Sequence, residues 1–175
     1  PQNSRIEPAQ KVTVIADLPG SPHDTAEMEV LDDEPRILSF ILTSTGIYEN
    51  SSTALTGRVG ISGTLTTPLT VRLLSAETAE LQMTEFVTIP AGSLTSPPFA
   101  ISAVDDADFD GSQNVQITAS AENFINAEQI ITVKDNEVHH LGVSNISTEQ
   151  VRNKPFNVTF SAQDINSEII DTYSG

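Results

Sequence analysis

Four aspartates, Asp105, Asp106, Asp108 and Asp110, occupy six positions inside the stretch AVDDADFDGSQNV, which runs from Ala103 to Val115. Both flanks read as β-strands, so four carboxylates crowd into one turn. Like charges that close repel by about 1 kcal/mol or more per pair unless a cation stands between them. A second acidic turn, Asp135-Asn136-Glu137, closes the strand pattern that follows. If each strand pairs antiparallel with its predecessor, two reversals bring that turn back to the pole where the aspartates stand, and the two acidic loops converge. Oxygen ligands of that number and hardness suit Ca2+, which takes six to eight; Mg2+ keeps its waters and uses one or two carboxylates. A solvated acidic turn is the plainer alternative, because Asp is a good turn former. A helix–loop–helix calcium hand is excluded. Asp106, Asp108, Asp110 and Gly111 fit its opening D-x-D-x-D-G, but loop position twelve, which demands a bidentate Glu, falls on Ile117, and the flanks are strands.

The rest of the composition narrows the chemistry. The chain of 175 residues has 24 Asp and Glu against 8 Lys and Arg, a formal net charge of −16. That excess repels phosphate backbones and anionic lipid, so neither nucleic acid nor a membrane surface is an expected partner. No Cys is present, which removes disulfides, zinc-thiolate sites and cysteine nucleophiles. Nothing approaches the ~18 apolar residues of a membrane span, and the amino end carries no charged-then-apolar leader pattern, as in a mature or excised piece of a longer polypeptide. The three histidines, His23, His139 and His140, sit in turn or junction segments, and no G-x-S-x-G occurs. Paired carboxylates run glycoside hydrolysis in other proteins, but there is no Trp here to form a sugar platform. No catalytic residue is expected. Adjacent strand residues point to opposite faces, so His139 and His140 read as linker histidines rather than as a metal pair. Asn50, Asn145 and Asn157 each open an N-x-S/T triplet.

The elements that position these residues are all β. KVTVIA (11–16), TVRLL (70–74), FVTI (86–89), NVQITASA (114–121) and FNVTF (156–160) alternate apolar and polar residues, separated by Pro/Gly/Asp-rich turns every ten to fifteen residues. The stretch SAETAELQM (75–83) has room for one helical turn at most. Residues 9–38 align without a gap on residues 112–141. Gln10 meets Gln113, Val12 meets Val115, Val14 meets Ile117, Ala16 meets Ala119, Val30 meets Val133, Asp32 meets Asp135 and Glu34 meets Glu137, all at an offset of 103. A period near a hundred residues implies tandem β-sandwiches rather than a solenoid. The expected division is 1–36, the closing strands of one sandwich; 37–138, a complete one; and 139–175, the opening strands of a third. Half-sandwiches expose apolar faces, so the outer pieces should be covered by each other, by a second copy of the chain or by neighbouring sequence.

GIYENSS (46–52), AVDDADFDG (103–111) and ITVKDNE (131–137), with VTIPAG (87–92), resemble the Calx-beta domain, the calcium-binding sandwich of sodium–calcium exchangers that also occurs in long bacterial surface proteins. The resemblance covers residues 39–138, plus the tail of a preceding copy in 9–38. It implies Ca2+ held by Glu49, Asp105, Asp106, Asp110, Asp135 and Glu137, with Asp108 and Glu80 as further candidates. Asn136 stands where Asp is common in that family. In the partial copy Gln2, Asn3 and Arg5 replace the three aspartates 105, 106 and 108, while Asp32, Asp33 and Glu34 are kept, which implies a weak or empty first site. The third segment, through KPFNVTFSAQD and YSG, resembles another bacterial immunoglobulin-like or filamin-like repeat, and Arg152 lies where Glu49 would be. A non-catalytic, extracellular stalk, adhesion or matrix segment is therefore expected, with an accessory spacer or glycan-binding region of a secreted hydrolase as the alternative.

Overall fold

The computed structural model describes residues 4–144 and 146–173, so Gln2, Asn3, Asn145 and the end of the YSG motif lie outside the described residues. In chain order the strands are β1 (Gln10–Ala16), β2 (Asp24–Val30), β3 (Leu38–Leu42), β4 (Gly46–Tyr48), β5 (Leu55–Ile61), β6 (Leu69–Ser75) and β7 (Leu81–Met83). They continue with β8 (Phe86–Ile89), β9 (Phe99–Ala103), β10 (Gln113–Ser120), β11 (Ala127–Lys134), β12 (His140–Val143) and β13 (Phe160–Gln163). No helix occurs among the described residues, and the candidate turn at 75–83 is a turn that leads into β7.

Residues 38–134 form a β-sandwich. One sheet has the order β4-β11-β10-β6-β8 and the other β3-β5-β9-β7. The alternation seen in the sequence appears as burial. Val71 and Leu73 from β6, Val115, Ile117 and Ala119 from β10, and Ile131 and Val133 from β11 meet Val59 of β5, Leu81 of β7 and Ile101 of β9 in one core. Ile131 has 0% exposure. We expect Ile131→Ala to cost about 3 kcal/mol in chemical unfolding, from lost transfer energy and the cavity left behind. Met28, which aligns with Ile131 at the offset of 103, is 53% exposed; Met28→Ala in the same chain should stay within about 0.5 kcal/mol.

That contrast runs through the whole first hairpin. β1 pairs with β2 from Gln10↔Val30 to Ala16↔Asp24, and β10 pairs with β11 from Gln113↔Val133 to Ala119↔Ala127. Every pair of the first, moved by 103, is a pair of the second. Yet all seven residues of β1 and all seven of β2 are exposed. Pattern and register are the same, and only the covering layer differs.

Two features differ from the sequence reading. β9 does not pair with β10: it lies between β5 and β7 in the opposite sheet, so residues 104–112 cross from one layer to the other. A nine-residue connection spans the ~10 Å between stacked sheets, whereas a tight hairpin would leave one layer without a central strand. The strand expected over FNVTF begins only at Phe160, because its partner β12 offers just four residues, His140–Val143. Phe156 is consequently exposed.

Candidate metal centre

β4 brings the first carboxylate into place. It pairs parallel with β11, Ile47 opposite Val133 and Tyr48 opposite Lys134. The next residues on the two strands, Glu49 and Asp135, therefore leave the sheet side by side, and the Glu49 N–H donates to the Lys134 carbonyl at 3.1 Å. Both side chains are buried, at 3% and 2% exposure. With Glu137 they place carboxylate oxygens within 4.8 Å of one another.

Asp135 is the brace of this group. Its Oδ2 accepts the Gly111 N–H at 2.9 Å and its Oδ1 the Glu137 N–H at 2.7 Å, which ties the 104–112 loop to the exit of β11. Gly111 adopts φ +77, a conformation that favours glycine. Asn136 lies between the two acids. Its Oδ1 accepts the Asn50 N–H at 3.0 Å while its Nδ2 donates to Glu137 Oε1 at 2.8 Å. An Asp there could accept but not donate, so Asn136 positions Glu137 in a way that counting carboxylates does not reveal.

The remaining candidates divide. Glu80 ends the turn before β7, and its carbonyl accepts the Val104 N–H at 2.9 Å, one residue ahead of Asp105. Asp106 and Asp110 lie close enough to act electrostatically on Glu49 and Glu80, and Asp105 acts on Glu137. The four aspartates of the 105–110 turn are exposed. Within that turn the Asp108 N–H donates to Asp106 Oδ1 at 2.8 Å.

This arrangement is electrostatically unfavourable as it stands. Oε2 of Glu49, of Glu80 and of Glu137 is buried without a hydrogen-bond partner. The ion pairs among the described residues, Arg5–Glu7 and Arg72–Glu85, involve none of these carboxylates. Burial, then the charges of Asp135, Glu137, Asp106 and Asp110, push the Glu49 carboxyl up to about 8. Burial, the hydrogen bond with Asp135 and the charges of Asp135 and Asp105 push Glu137 up to about 7. Glu80 is raised by burial and then by Asp110, Asp106 and Glu77. A buried carboxylate with an unpartnered oxygen needs a proton or a cation. Hard oxygen donors from three segments fit Ca2+ best, since thiolate and imidazole ligands are absent from the group.

In the first segment Asp32, Asp33 and Glu34 also gather their oxygens within 4.8 Å, but half-buried or exposed. Asp32 Oδ2 accepts the Glu7 N–H at 3.0 Å, so it ties a preceding loop to the exit of β2 much as Asp135 does for β11. Pro8, with no N–H to give, stands at the position equivalent to Gly111.

The third segment touches the same pole. Glu168 Oε2 accepts the Ser112 hydroxyl at 2.9 Å, and Asn166 packs against Gly111. The adjacent histidines contradict the expectation that they face apart: His139 Nδ1 and His140 Nδ1 are 3.3 Å from each other. Strand alternation does not apply to them, because β12 starts at His140 and His139 precedes it.

No protein-family model matches the chain, and no curated protein matches it. Among solved structures, the chain is similar to the apo form of the Calx CBD1 domain, at 15% identity and a TM-score of 0.44, over 58% of this chain and 99% of that one. It is also similar to protocadherin gamma B2 extracellular cadherin domains 1–5, at 16% identity and a TM-score of 0.41. That match covers 89% of this chain and 32% of the protocadherin, so the chain spans about a third of its length.

Proposed function

We propose that this chain is a calcium-binding, non-catalytic β-sandwich array, a stalk, adhesion or matrix segment of a long extracellular bacterial protein. The carrying observation is the trio Glu49, Asp135 and Glu137, with two carboxylates almost fully buried and unpartnered oxygens on two of the three. Such a cluster opposes folding when empty and supports it when it holds a divalent ion. Asp105, Asp106 and Asp110, with Glu80, complete the ligand set from the facing loops, and Asp108 stands at its margin.

On this reading residues 37–138 are the loaded module, 1–36 the closing strands of its predecessor and 139–175 the opening of its successor. The equal registers of β1–β2 and β10–β11 at an offset of 103 support that division. Calcium cancels the repulsion between the 104–112 loop and the exit of β11, and Ser112 and Gly111 of that loop carry the third segment. Ion binding thus stiffens the junction between modules. Neighbouring modules of the same polypeptide are the expected partners, with a second copy as the other means of covering the half-sandwiches.

Calorimetric titration of the full chain with Ca2+ and Mg2+, with melting recorded in each and in chelator, tests this reading. Free calcium a hundredfold above Kd adds about 2.7 kcal/mol of stability. Magnesium should give far less. An unchanged melting temperature and no calcium heat would reduce the acidic pole to a solvated turn.

A further inference from the structure

The geometry points to a second metal site of different chemistry: we propose that His139 and His140 bind a divalent transition ion such as Zn2+ through their two Nδ1 atoms. Two imidazole nitrogens held ~2.1 Å from one tetrahedral ion lie about 3.4 Å apart. The His139 and His140 Nδ1 atoms are 3.3 Å apart, with the rings edge to face at 86°. Two nitrogen lone pairs at that distance need a shared proton or a metal between them.

The surroundings orient the pair. Ser167 Oγ lies 3.4 Å from His140 Nε2. With Nε2–H donated to that hydroxyl, Nδ1 of His140 carries the lone pair, the arrangement by which a partner on one ring nitrogen prepares the other for a metal. His139 is held from two sides. Its N–H donates to the Gln163 carbonyl at 2.9 Å, and its ring stands edge to face with Phe109 at 5.8 Å. Imidazole nitrogen selects zinc, nickel or copper over calcium, so this site is chemically separate from the carboxylate centre. Water supplies the remaining ligands on the exposed side. An ion here would clamp the linker ahead of β12 to Phe109 in the aspartate loop and to the turn at Ser167, at the junction of two segments.

The test is a zinc titration of the metal-stripped full chain, by calorimetry and by long-range 1H–15N spectra of the imidazoles. It is run in saturating Ca2+, to keep zinc off the carboxylates, and again without calcium. One zinc per chain is expected, shifting the Nδ1 resonances of both histidines. His139→Ala and His140→Ala should each weaken zinc binding at least tenfold, and Ser167→Ala about tenfold, with melting in chelator unchanged. The proposal is overturned by no zinc binding up to millimolar concentration, by coordination through Nε2, or by zinc binding that leaves both Nδ1 resonances in place. Because the wild-type imidazole spectra are read directly, the result stands whether or not the variants fold and whether or not the carboxylate centre takes calcium.

Discussion

Asp135→Ala is expected to abolish calcium binding and to lower stability in chelator by about 2 kcal/mol. Two effects oppose each other. The substitution strands the Gly111 and Glu137 N–H groups, which now donate to Asp135 Oδ2 and Oδ1. Each unsatisfied buried donor costs roughly 1–3 kcal/mol. Removing a buried negative charge beside Glu49 and Glu137 gives part of that back, since Asp135 is among the charges that raise both. The net loss falls below the sum of two donors. Asp135→Asn separates the effects: its amide oxygen still accepts one N–H, so stability in chelator should recover by about half while calcium binding stays lost. Urea unfolding in chelator, paired with calorimetric calcium titration, measures both. Unaltered calcium affinity in Asp135→Ala would remove Asp135 from the ligand set.

The metal-free protein is expected to lose stability as pH rises from about 5 to 8, the reverse of ordinary acid denaturation. Glu49 and Glu137 have folded-state values of about 8 and about 7. Both lie above the ~4.3 of an unfolded glutamate. Between those limits the folded chain holds more protons than the unfolded one. Their contribution is therefore fully present below pH ~4.3 and is lost as pH rises through 7 to 8, on the order of a few kcal/mol. If the centre binds calcium as proposed, the profile in calcium is expected to invert. Ligation needs the ionised carboxylates, so affinity should climb with pH up to about 8, and binding at pH 7 should release protons. Melting curves across pH in chelator and in millimolar calcium test the first part. Calcium titrations in buffers of different ionisation enthalpy test the second. A flat chelator curve between pH 5 and 8 would mean that these carboxyls ionise freely in the folded chain.

The contrast between Asp135 and its neighbours shows where sequence reading runs out. Alternation of Val, Ile and Ala in KVTVIA and NVQITASA was enough to mark both as strands, because a period of two gathers those side chains on one face; that face is buried in β10, whereas the whole of β1 is exposed. The buried faces of β6 and β10 follow it directly. FNVTF has the same alternation and remains outside a strand until Phe160, since pairing depends on what β12 offers. The acidic loops were legible as carboxylate types and spacings. That Glu49 is buried beside Asp135 follows from the parallel pairing of β4 with β11, a contact between residues more than eighty positions apart. The amide of Asn136, bridging Asn50 and Glu137, left no signal in a count of charges.

By itself the sequence determined composition-level facts: strong acidity, strands with one apolar face, a 103-residue self-similarity and two carboxylate-rich turns. These are local properties, set by side-chain type and by the two-residue period of an extended chain. Tertiary structure alone decided that β9 and β10 belong to opposite layers, and that Glu49, Asp135 and Glu137 gather their carboxylates, two of them buried, while the four aspartates of the 105–110 turn remain exposed. It also turned the two histidines toward each other. Each of those outcomes rests on packing between distant segments, where burial, cross-sheet pairing and loop reach act together and no local pattern records them.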